Sequence, residues 1–296
     1  MVLIFGSSGF IGSLLCSFLK KNGVSYKIIE RQINKNSHHN NNDSIELKWP
    51  DDISSLELEQ FSSIIYLSYA TIHQSMSQKE IEDTNIFPVM LLIDRIKKSN
   101  PLCQLIFISS QSALAQKKSK YGKMKFEVEN LIKKSKIFYT IVRPGLVVGT
   151  PLAGLFGKIY SFVKKSPVIP MIIPSESIIQ PVVANDILLA LKKIVEVPSL
   201  YRSYELNLAI SPVKFNYFLR SLANVSGSKH IFLPVPYKAL YLGLSLIECF
   251  YKNAPLTTTN LFGLLYSEVM SIDDSWNKLN IKPSSLESFL QKIKNE

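Results

Sequence analysis

The stretch VLIFGSSGFIG, residues 2–12, decides the fold. Four apolar residues, Val2–Phe5, predict a short buried strand, and glycines spaced as GxxGxxG follow it at once. Apolar residues at helical spacing then run from Ile11 to Lys21, which predicts a helix directly after the glycines. Glycines at such a turn let backbone N–H groups approach a pyrophosphate at the helix N-terminus. The predicted dinucleotide contacts in this turn are Gly6, Gly9, Phe10, Ile11 and Gly12.

Strand and helix patterns alternate through the first 150 residues. The predicted strands after the first are 26–29, 63–67, 105–108 and 138–142, and the predicted helices after the first are 85–96 and 122–134. This alternation predicts right-handed βαβ units and an α/β fold with a doubly wound parallel sheet of the Rossmann type. Residues 1–150 form the predicted dinucleotide-binding core. Residues 151–296 are predicted to add a last core strand and helix near 180–195 and a smaller C-terminal substrate lobe.

Composition narrows the classes of partner. Lys and Arg number 34 against 23 Asp and Glu, a formal net charge of +11, which favours anionic partners. The lysines come as scattered pairs near predicted helix ends and do not form a basic stripe with aromatics, so no nucleic-acid partner is predicted. The three cysteines lie far apart, and His38 and His39 have no ligand partners at suitable spacing. Neither a metal site nor a disulfide is therefore predicted.

Two apolar segments bear on localisation. The N-terminus lacks the basic start of a signal peptide and reaches a glycine after five residues, so it is interpreted as a strand. Residues 239–251 are apolar, but they include Glu248 and are too few to span a bilayer. A cytoplasmic protein with at most weak membrane association is predicted, and a homodimer is compatible with the sequence.

An acidic residue and a basic one adjoin at the end of the second predicted strand. Glu30 lies eighteen residues after Gly12, where a carboxylate would accept hydrogen bonds from the adenosine ribose and repel a 2′-phosphate. Arg31 follows it, and a guanidinium can bind that phosphate or stack on adenine. NAD is the predicted cofactor, and NADP remains the alternative.

Tyr121 and Lys125 form a YxxxK pair at i, i+4 spacing, so both side chains share one helix face. A phenol titrates near 10 unaided, and a neighbouring ammonium is expected to lower that pKa. Tyr121 could then exchange a proton with a substrate oxygen while a hydride moves at the same carbon, with Lys125 also holding the nicotinamide ribose.

A serine at the end of the strand 105–108 completes the predicted catalytic group. Ligands of open parallel sheets bind beyond the carboxyl ends of the strands, where the Ser110 hydroxyl could polarise a substrate carbonyl. Ser109 and Ser112 are rival candidates.

These motifs together resemble the extended short-chain dehydrogenases/reductases of the NAD-dependent epimerase/dehydratase kind. The resemblance rests on GSSGFIG (6–12), Glu30, Asn85, IFISSQS (106–112), YGKMK (121–125), RPGLVVG (143–149) and QPVVANDI (180–187). It implies that Ser110, Tyr121 and Lys125 are catalytic, that Gly6, Gly9, Gly12 and Glu30 line the dinucleotide, and that Arg143-Pro144 leads into the loop over the nicotinamide.

The same resemblance extends to the tail and has one departure. Pro234-Val235-Pro236 and the residues from Ser271 to Pro283 are similar to bacterial nucleotide-sugar 4-reductases and 4-epimerases of surface-polysaccharide pathways. The link between Ser110 and Tyr121 is shorter than the family's usual one. The resemblance implies an epimerase or 4-keto reductase that acts at C4 of a nucleotide-activated sugar. The alternative is a non-catalytic NAD(P)-binding scaffold or redox-sensing protein. A membrane-associated relative, suggested by residues 239–251, is a third hypothesis.

Overall fold

A computed structural model of the chain describes most of its residues. They are 1–31, 43–70, 76–114, 119–174, 177–250 and 268–295, with 257, 258, 261 and 263. His38 and His39 lie outside these ranges.

The strands and helices follow the order expected for a nucleotide-binding α/β fold. The strands are β1 Val2–Phe5, β2 Tyr26–Arg31, β3 Ser44–Leu47, β4 Ser63–Tyr66, β5 Gln104–Ile108, β6 Tyr139–Pro144, β7 Leu146–Val148, β8 Val168–Ile173, β9 Ile178–Ile179, β10 Pro181–Val183, β11 Tyr204–Leu208, β12 Val213–Lys214 and β13 Ile231–Pro236. The α-helices are α1 Phe10–Lys21, α2 Gln78–Ile81, α3 Phe87–Ser99, α4 Lys120–Lys134, α5 Gly154–Lys165, α6 Ala184–Glu196, α7 Phe215–Ser226, α8 Tyr237–Phe250, α9 Asp273–Leu279 and α10 Leu286–Asn295. A π-helical turn, Glu82–Ile86, joins α2 to α3.

Seven strands form one parallel sheet in the order β11-β6-β5-β4-β1-β2-β3. The order reverses between β1 and β4, where the chain has crossed from one half of the sheet to the other. The prediction of a doubly wound α/β fold is confirmed. Ligands bind at such a switch point, beyond the carboxyl ends of the strands, and both the glycine turn and the end of β5 lie at that edge.

Side chains of β1 alternate between two cores, one on each face of the sheet. Leu3 and Phe5 join a cluster with α3 and α4, whereas Val2 and Ile4 join a second cluster with α1, α6 and α9. All four residues are buried, which is the pattern of a strand covered by helices on both faces. The continuous apolar run at the start of the chain is thereby explained.

The sheet differs from the prediction at both of its edges and near residue 180. The strand expected near residue 180 is β10, but it pairs with β7 outside the seven-stranded sheet. The strand that completes the sheet beside β6 is β11, and β3 completes the opposite edge. The burial of β11 is confined to Leu206 and Leu208, and that of β3 to Leu47. Such short, half-polar strands give little periodic signal.

The residues after 150 build a third apolar cluster from α5, α7, α8, α10 and β8. Asp186 of α6 accepts hydrogen bonds from the backbone N–H and the hydroxyl of Ser284, at 2.8 and 3.0 Å, and so fastens the tail to the core. Within the described ranges, no helix is both long and apolar enough to cross a membrane. Over the same ranges, no group of three or more His, Cys, Asp or Glu side chains is placed to hold a metal ion.

Candidate active site

The glycine turn leaves no room for side chains. Gly6 has a φ of 85°, and a Cβ there would lie 2.7 Å from the backbone N of Ser68. A Cβ on Gly12 would lie 2.1 Å from the carbonyl O of Gly6. Gly9 caps α1 without a side-chain hydrogen bond, so no capping side chain occupies the N–H groups of its first turn. The close backbone packing and the uncapped helix end fit a pyrophosphate group.

The other two predicted contacts in this turn differ in placement. Phe10 lies against the chain after β7, because a Cβ on Gly149 would be 3.2 Å from its ring. Ile11 packs its side chain against the core cluster of α1 and α6.

Glu30 and Arg31 both lie at the end of β2. Glu30 is half-buried and is in register with Glu46 of β3. The guanidinium of Arg31 lies 4.9 Å from the centroid of the Trp49 ring, and its Nη2 lies 3.5 Å from the Oγ of Ser68. Since Ser68 also adjoins Gly6, Arg31 is held close to the glycine turn.

The three predicted catalytic residues are brought together at the end of β5. The hydroxyl of Ser110 lies near that of Tyr121 and favours its ionised form, despite the short link between the two residues. The Nζ of Lys125 donates to the carbonyl O of Ile108, the last residue of β5, at 2.9 Å. The Ser110 Oγ also accepts from the backbone N of Ser112 at 3.2 Å.

The rival serines have different surroundings. Ser109 is buried, and its hydroxyl donates to Glu129 at 2.5 Å, so it belongs to the core. The backbone of Ser112 packs closely against α4: a Cβ on Gly122 would lie 2.3 Å from the Ser112 carbonyl O. Glycine in the YGKMK motif is thus needed for α4 to reach the turn after β5. Among the three serines, Ser110 is the one that affects the pKa of Tyr121.

Aromatic rings surround the Lys125 ammonium. Its Nζ lies 4.7 Å from the centroid of the Phe107 ring and 5.5 Å from that of Tyr69. Tyr69 also meets Tyr121 edge to face, with the ring centroids 5.1 Å apart. Asn85, in the π-helical turn, fixes the segment that carries Tyr69, because its Oδ1 accepts from the backbone N of Ala70 at 2.9 Å. The sequence did not predict that Tyr69 lies against Tyr121 and Lys125.

The pKa of Tyr121 is shifted in the opposite direction to the prediction. Burial raises the pKa of Tyr121 above its ordinary value of 10.0, and the hydroxyl of Ser110 opposes this. Burial also lowers the pKa of Lys125 to about 8, and the charge of Glu129 offsets part of that change. The prediction that Lys125 lowers the pKa of Tyr121 is wrong for this structure, because removal from water dominates. Tyr121 therefore carries its proton at neutral pH.

A buried ion pair stands behind Lys125 on the same face of α4. Arg143 of β6 donates from Nε and Nη2 to the two carboxylate oxygens of Glu129, at 2.8 and 2.5 Å. The side chains are 7% and 1% exposed. Arg143 Nη2 also contacts Glu205 of β11. The side chain of Arg143 thus ties α4 to the sheet and does not point to the loop expected over the nicotinamide. That loop would be formed by the residues that follow Pro144.

Two buried glutamines close the site region against the tail. Gln111 donates from Nε2 to the Oε1 of Gln180 at 2.9 Å and to the carbonyl O of Glu268 at 2.7 Å. Gln180 in turn accepts from the backbone N of Met270 at 2.7 Å. These contacts join residues far apart in the chain, so no local pattern pointed to them.

The whole N-terminal half of the chain matches a family model. The description of that model is NAD dependent epimerase/dehydratase family, and the match covers residues 2–159, more than half of the chain. The chain belongs to this family. The predictions of the family, of an NAD-dependent enzyme and of dependence on NAD or NADP are confirmed at this level.

One curated relative and many solved structures are similar to this family member. The CDP-abequose synthase of Salmonella typhimurium is 33% identical over 131 residues, which span 42% of each chain. The aligned part is thus less than half of that relative's length. The UDP-glucose 4-epimerase of Thermotoga maritima has a TM-score of 0.73 at 16% identity, covering 99% of this chain and 97% of that one. The NAD-bound dTDP-glucose 4,6-dehydratase of Bacillus anthracis has a TM-score of 0.72 at 13% identity, covering 99% and 95%.

The buried ion pair makes a prediction about stability. Glu129→Gln should lower the free energy of unfolding by about 3 kcal/mol, because it leaves the Arg143 guanidinium buried with less compensation. Glu127→Gln is the matched control two residues away, since its pair with Lys123 spans 3.7 Å between side chains that are 34% and 57% exposed. That change should cost less than about 1 kcal/mol. Urea unfolding of both variants provides the measurement, and equal losses would contradict the role given to Glu129.

Proposed function

We propose that this chain is an NAD(P)-dependent enzyme that transfers a hydride at C4 of a nucleotide-activated sugar, as an epimerase or a 4-keto reductase of surface-polysaccharide biosynthesis. The observation that carries the proposal is that Ser110, Tyr121 and Lys125 meet at the end of β5, at the sheet edge that also holds the glycine turn. A non-catalytic scaffold would have no need to assemble these three groups. The relative named CDP-abequose synthase and the neighbour in complex with UDP-glucose support the substrate class.

Each residue has a separate task in this proposal. NAD(P), when bound, accepts or supplies the hydride. Lys125 holds the nicotinamide ribose through its ammonium, Ser110 donates a hydrogen bond to the substrate oxygen, and Tyr121 moves a proton to or from that oxygen. The lobe built by residues after 150 would hold the nucleotide part of the substrate.

The protonation of Tyr121 favours one direction. A buried phenol whose pKa is raised carries its proton at neutral pH, and it can give that proton to the oxygen of a keto group. Reduction of a 4-keto sugar begins with this protonation state, whereas oxidation of a hydroxyl needs the phenolate. An epimerase uses both protonation states in turn, whereas a reductase starts from the protonated one.

Transfer of a labelled hydride tests the function. We expect deuterium from the reduced nicotinamide of NAD(P)H to appear at C4 of a CDP-, UDP- or dTDP-linked 4-keto-6-deoxy sugar. An epimerase would instead convert UDP-glucose with no net consumption of cofactor. If the protein binds the dinucleotide but neither reaction occurs with any of the three nucleotides, the scaffold becomes the better account.

Substitutions within the catalytic group should separate chemistry from binding. Tyr121→Phe should lower kcat by roughly a hundred- to ten-thousand-fold, the usual contribution of a general acid–base group, while the Kd for NAD(P)H changes little. Ser110→Ala should also lower kcat, and Ser112→Ala is its matched control. A near-normal rate for Tyr121→Phe, or a larger loss for Ser112→Ala than for Ser110→Ala, would contradict these roles.

Glu30 favours NAD, whereas Arg31 could favour NADP. Substituting each residue in turn shows which one determines the preference. We expect NAD to bind more tightly than NADP, because Glu30 should accept from the ribose hydroxyls and repel a 2′-phosphate. Glu30→Ala should narrow the ratio of the two Kd values, and Arg31→Ala should not. If the wild type prefers NADP and Arg31→Ala removes that preference, the guanidinium between Trp49 and Ser68 is the determinant instead.

A further inference from the structure

The C-terminal part of the chain presents an apolar helix face to solvent. Leu242, Leu246 and Phe250 follow one another at i, i+4 spacing on α8 and are 62%, 62% and 82% exposed. On the other side of α8, Leu240 and Leu244 pack against the third core cluster. Surface helices ordinarily turn polar side chains to water, so a helix that is apolar all round indicates that its outer face also meets an apolar environment.

The strand that precedes α8 also exposes apolar side chains. Ile231 and Leu233 point to the same side of β13 and are 67% and 51% exposed. The end of β13 leads directly into α8, which packs on it. We define the α8 face as Ile231, Leu233, Leu242, Leu246, Ile247 and Phe250.

Basic residues predominate in the segments that build the surroundings of α8. Residues 154–174 and 213–247 contain seven Lys or Arg and no Asp or Glu. All seven side chains are exposed: Lys158, Lys164, Lys165, Lys214, Arg220, Lys229 and Lys238. The next acidic residue along the chain, Glu248, accepts hydrogen bonds from the backbone N and hydroxyl of Thr258.

Several of these cations adjoin the α8 face. The Nδ1 of His230 lies 2.9 Å from the carbonyl O of Ser166, which brings Lys165 and Lys229 together at the start of β13. Arg220 lies elsewhere: its guanidinium is 4.5 Å from the centroid of the Phe232 ring, on the opposite side of β13 from Ile231 and Leu233. Lys238 is in the first turn of α8.

We propose that the α8 face docks the protein on an anionic lipid surface. Proteins that lie on such a surface combine exposed apolar side chains with basic ones. The apolar side chains enter the boundary between headgroups and acyl chains, and the basic side chains attract the anionic headgroups. With 14 residues, α8 is about 21 Å long, short of the roughly 30 Å hydrocarbon core, so it lies in the interface. A second copy of the chain is a poorer occupant, because pairing two such faces would bring mostly positive charges together.

Vesicle flotation tests the proposal with a matched pair of double variants. The probes are vesicles of phosphatidylcholine alone and of phosphatidylcholine with phosphatidylglycerol. Leu242→Glu with Leu246→Glu alters the α8 face. Leu102→Glu with Leu200→Glu makes the same chemical change at leucines that are 67% and 54% exposed outside it. Thermal unfolding in the absence of lipid checks that both variants are folded.

We expect the wild type to float with the anionic vesicles, more weakly with phosphatidylcholine alone, and less as salt is added. The α8 variant should lose at least about tenfold in partitioning, and the control variant should bind like the wild type. Lys165→Ala with Lys229→Ala, which leaves the helix intact, should lose about fivefold per lysine.

Three results would overturn the proposal. One is no flotation with anionic vesicles, and another is equal behaviour of the two leucine variants. The third is a wild-type dimer in sedimentation velocity that the α8 variant converts to monomer while neither binds vesicles, which would identify the face as an interface between copies.

Discussion

The buried contact between Glu129 and Arg143 fixes the geometry on which the site depends. It joins α4 to β6 in the interior, with Ser109 of the turn after β5 donating to the same carboxylate. Tyr121 and Lys125 lie on the face of α4 that carries Glu129, so the ion pair determines how they meet the end of β5. Such a pair contributes position more than net stability, because removing two charges from water costs much of what their attraction returns.

The sheet topology supplies the second constraint. Parallel strands place all their carboxyl ends at one edge, and the order reverses there between β1 and β4. The glycine turn after β1, Arg31 after β2 and Ser110 after β5 therefore meet at one edge although they are far apart in the chain. This topology brings the proposed acid–base group to the same edge of the sheet as the glycine turn.

The sequence predicted the parts whose signal is local. The strand, glycines and helix of residues 2–21 form a contiguous pattern, and the YxxxK pair needs only helical spacing. The edge strands β3 and β11 were missed because few of their residues are buried. The contacts of Gln111 with Gln180 were missed because they join distant segments. The direction of the Tyr121 pKa shift was also missed, since burial is a property of the folded chain and the spacing to Lys125 gives no measure of it.

The dependence of dinucleotide affinity on pH tests most directly whether Lys125 and Tyr121 form an active site. Lys125 donates best when protonated, and its pKa is lowered to about 8, so the affinity of the wild type for NAD should fall as the pH rises through about 8. Lys125→Met should bind weakly at every pH, with no transition. Lys123→Met, which alters an exposed lysine two residues away, should follow the wild type. If the two variants behave alike, the YxxxK pair does not hold the cofactor and the account of the site is wrong.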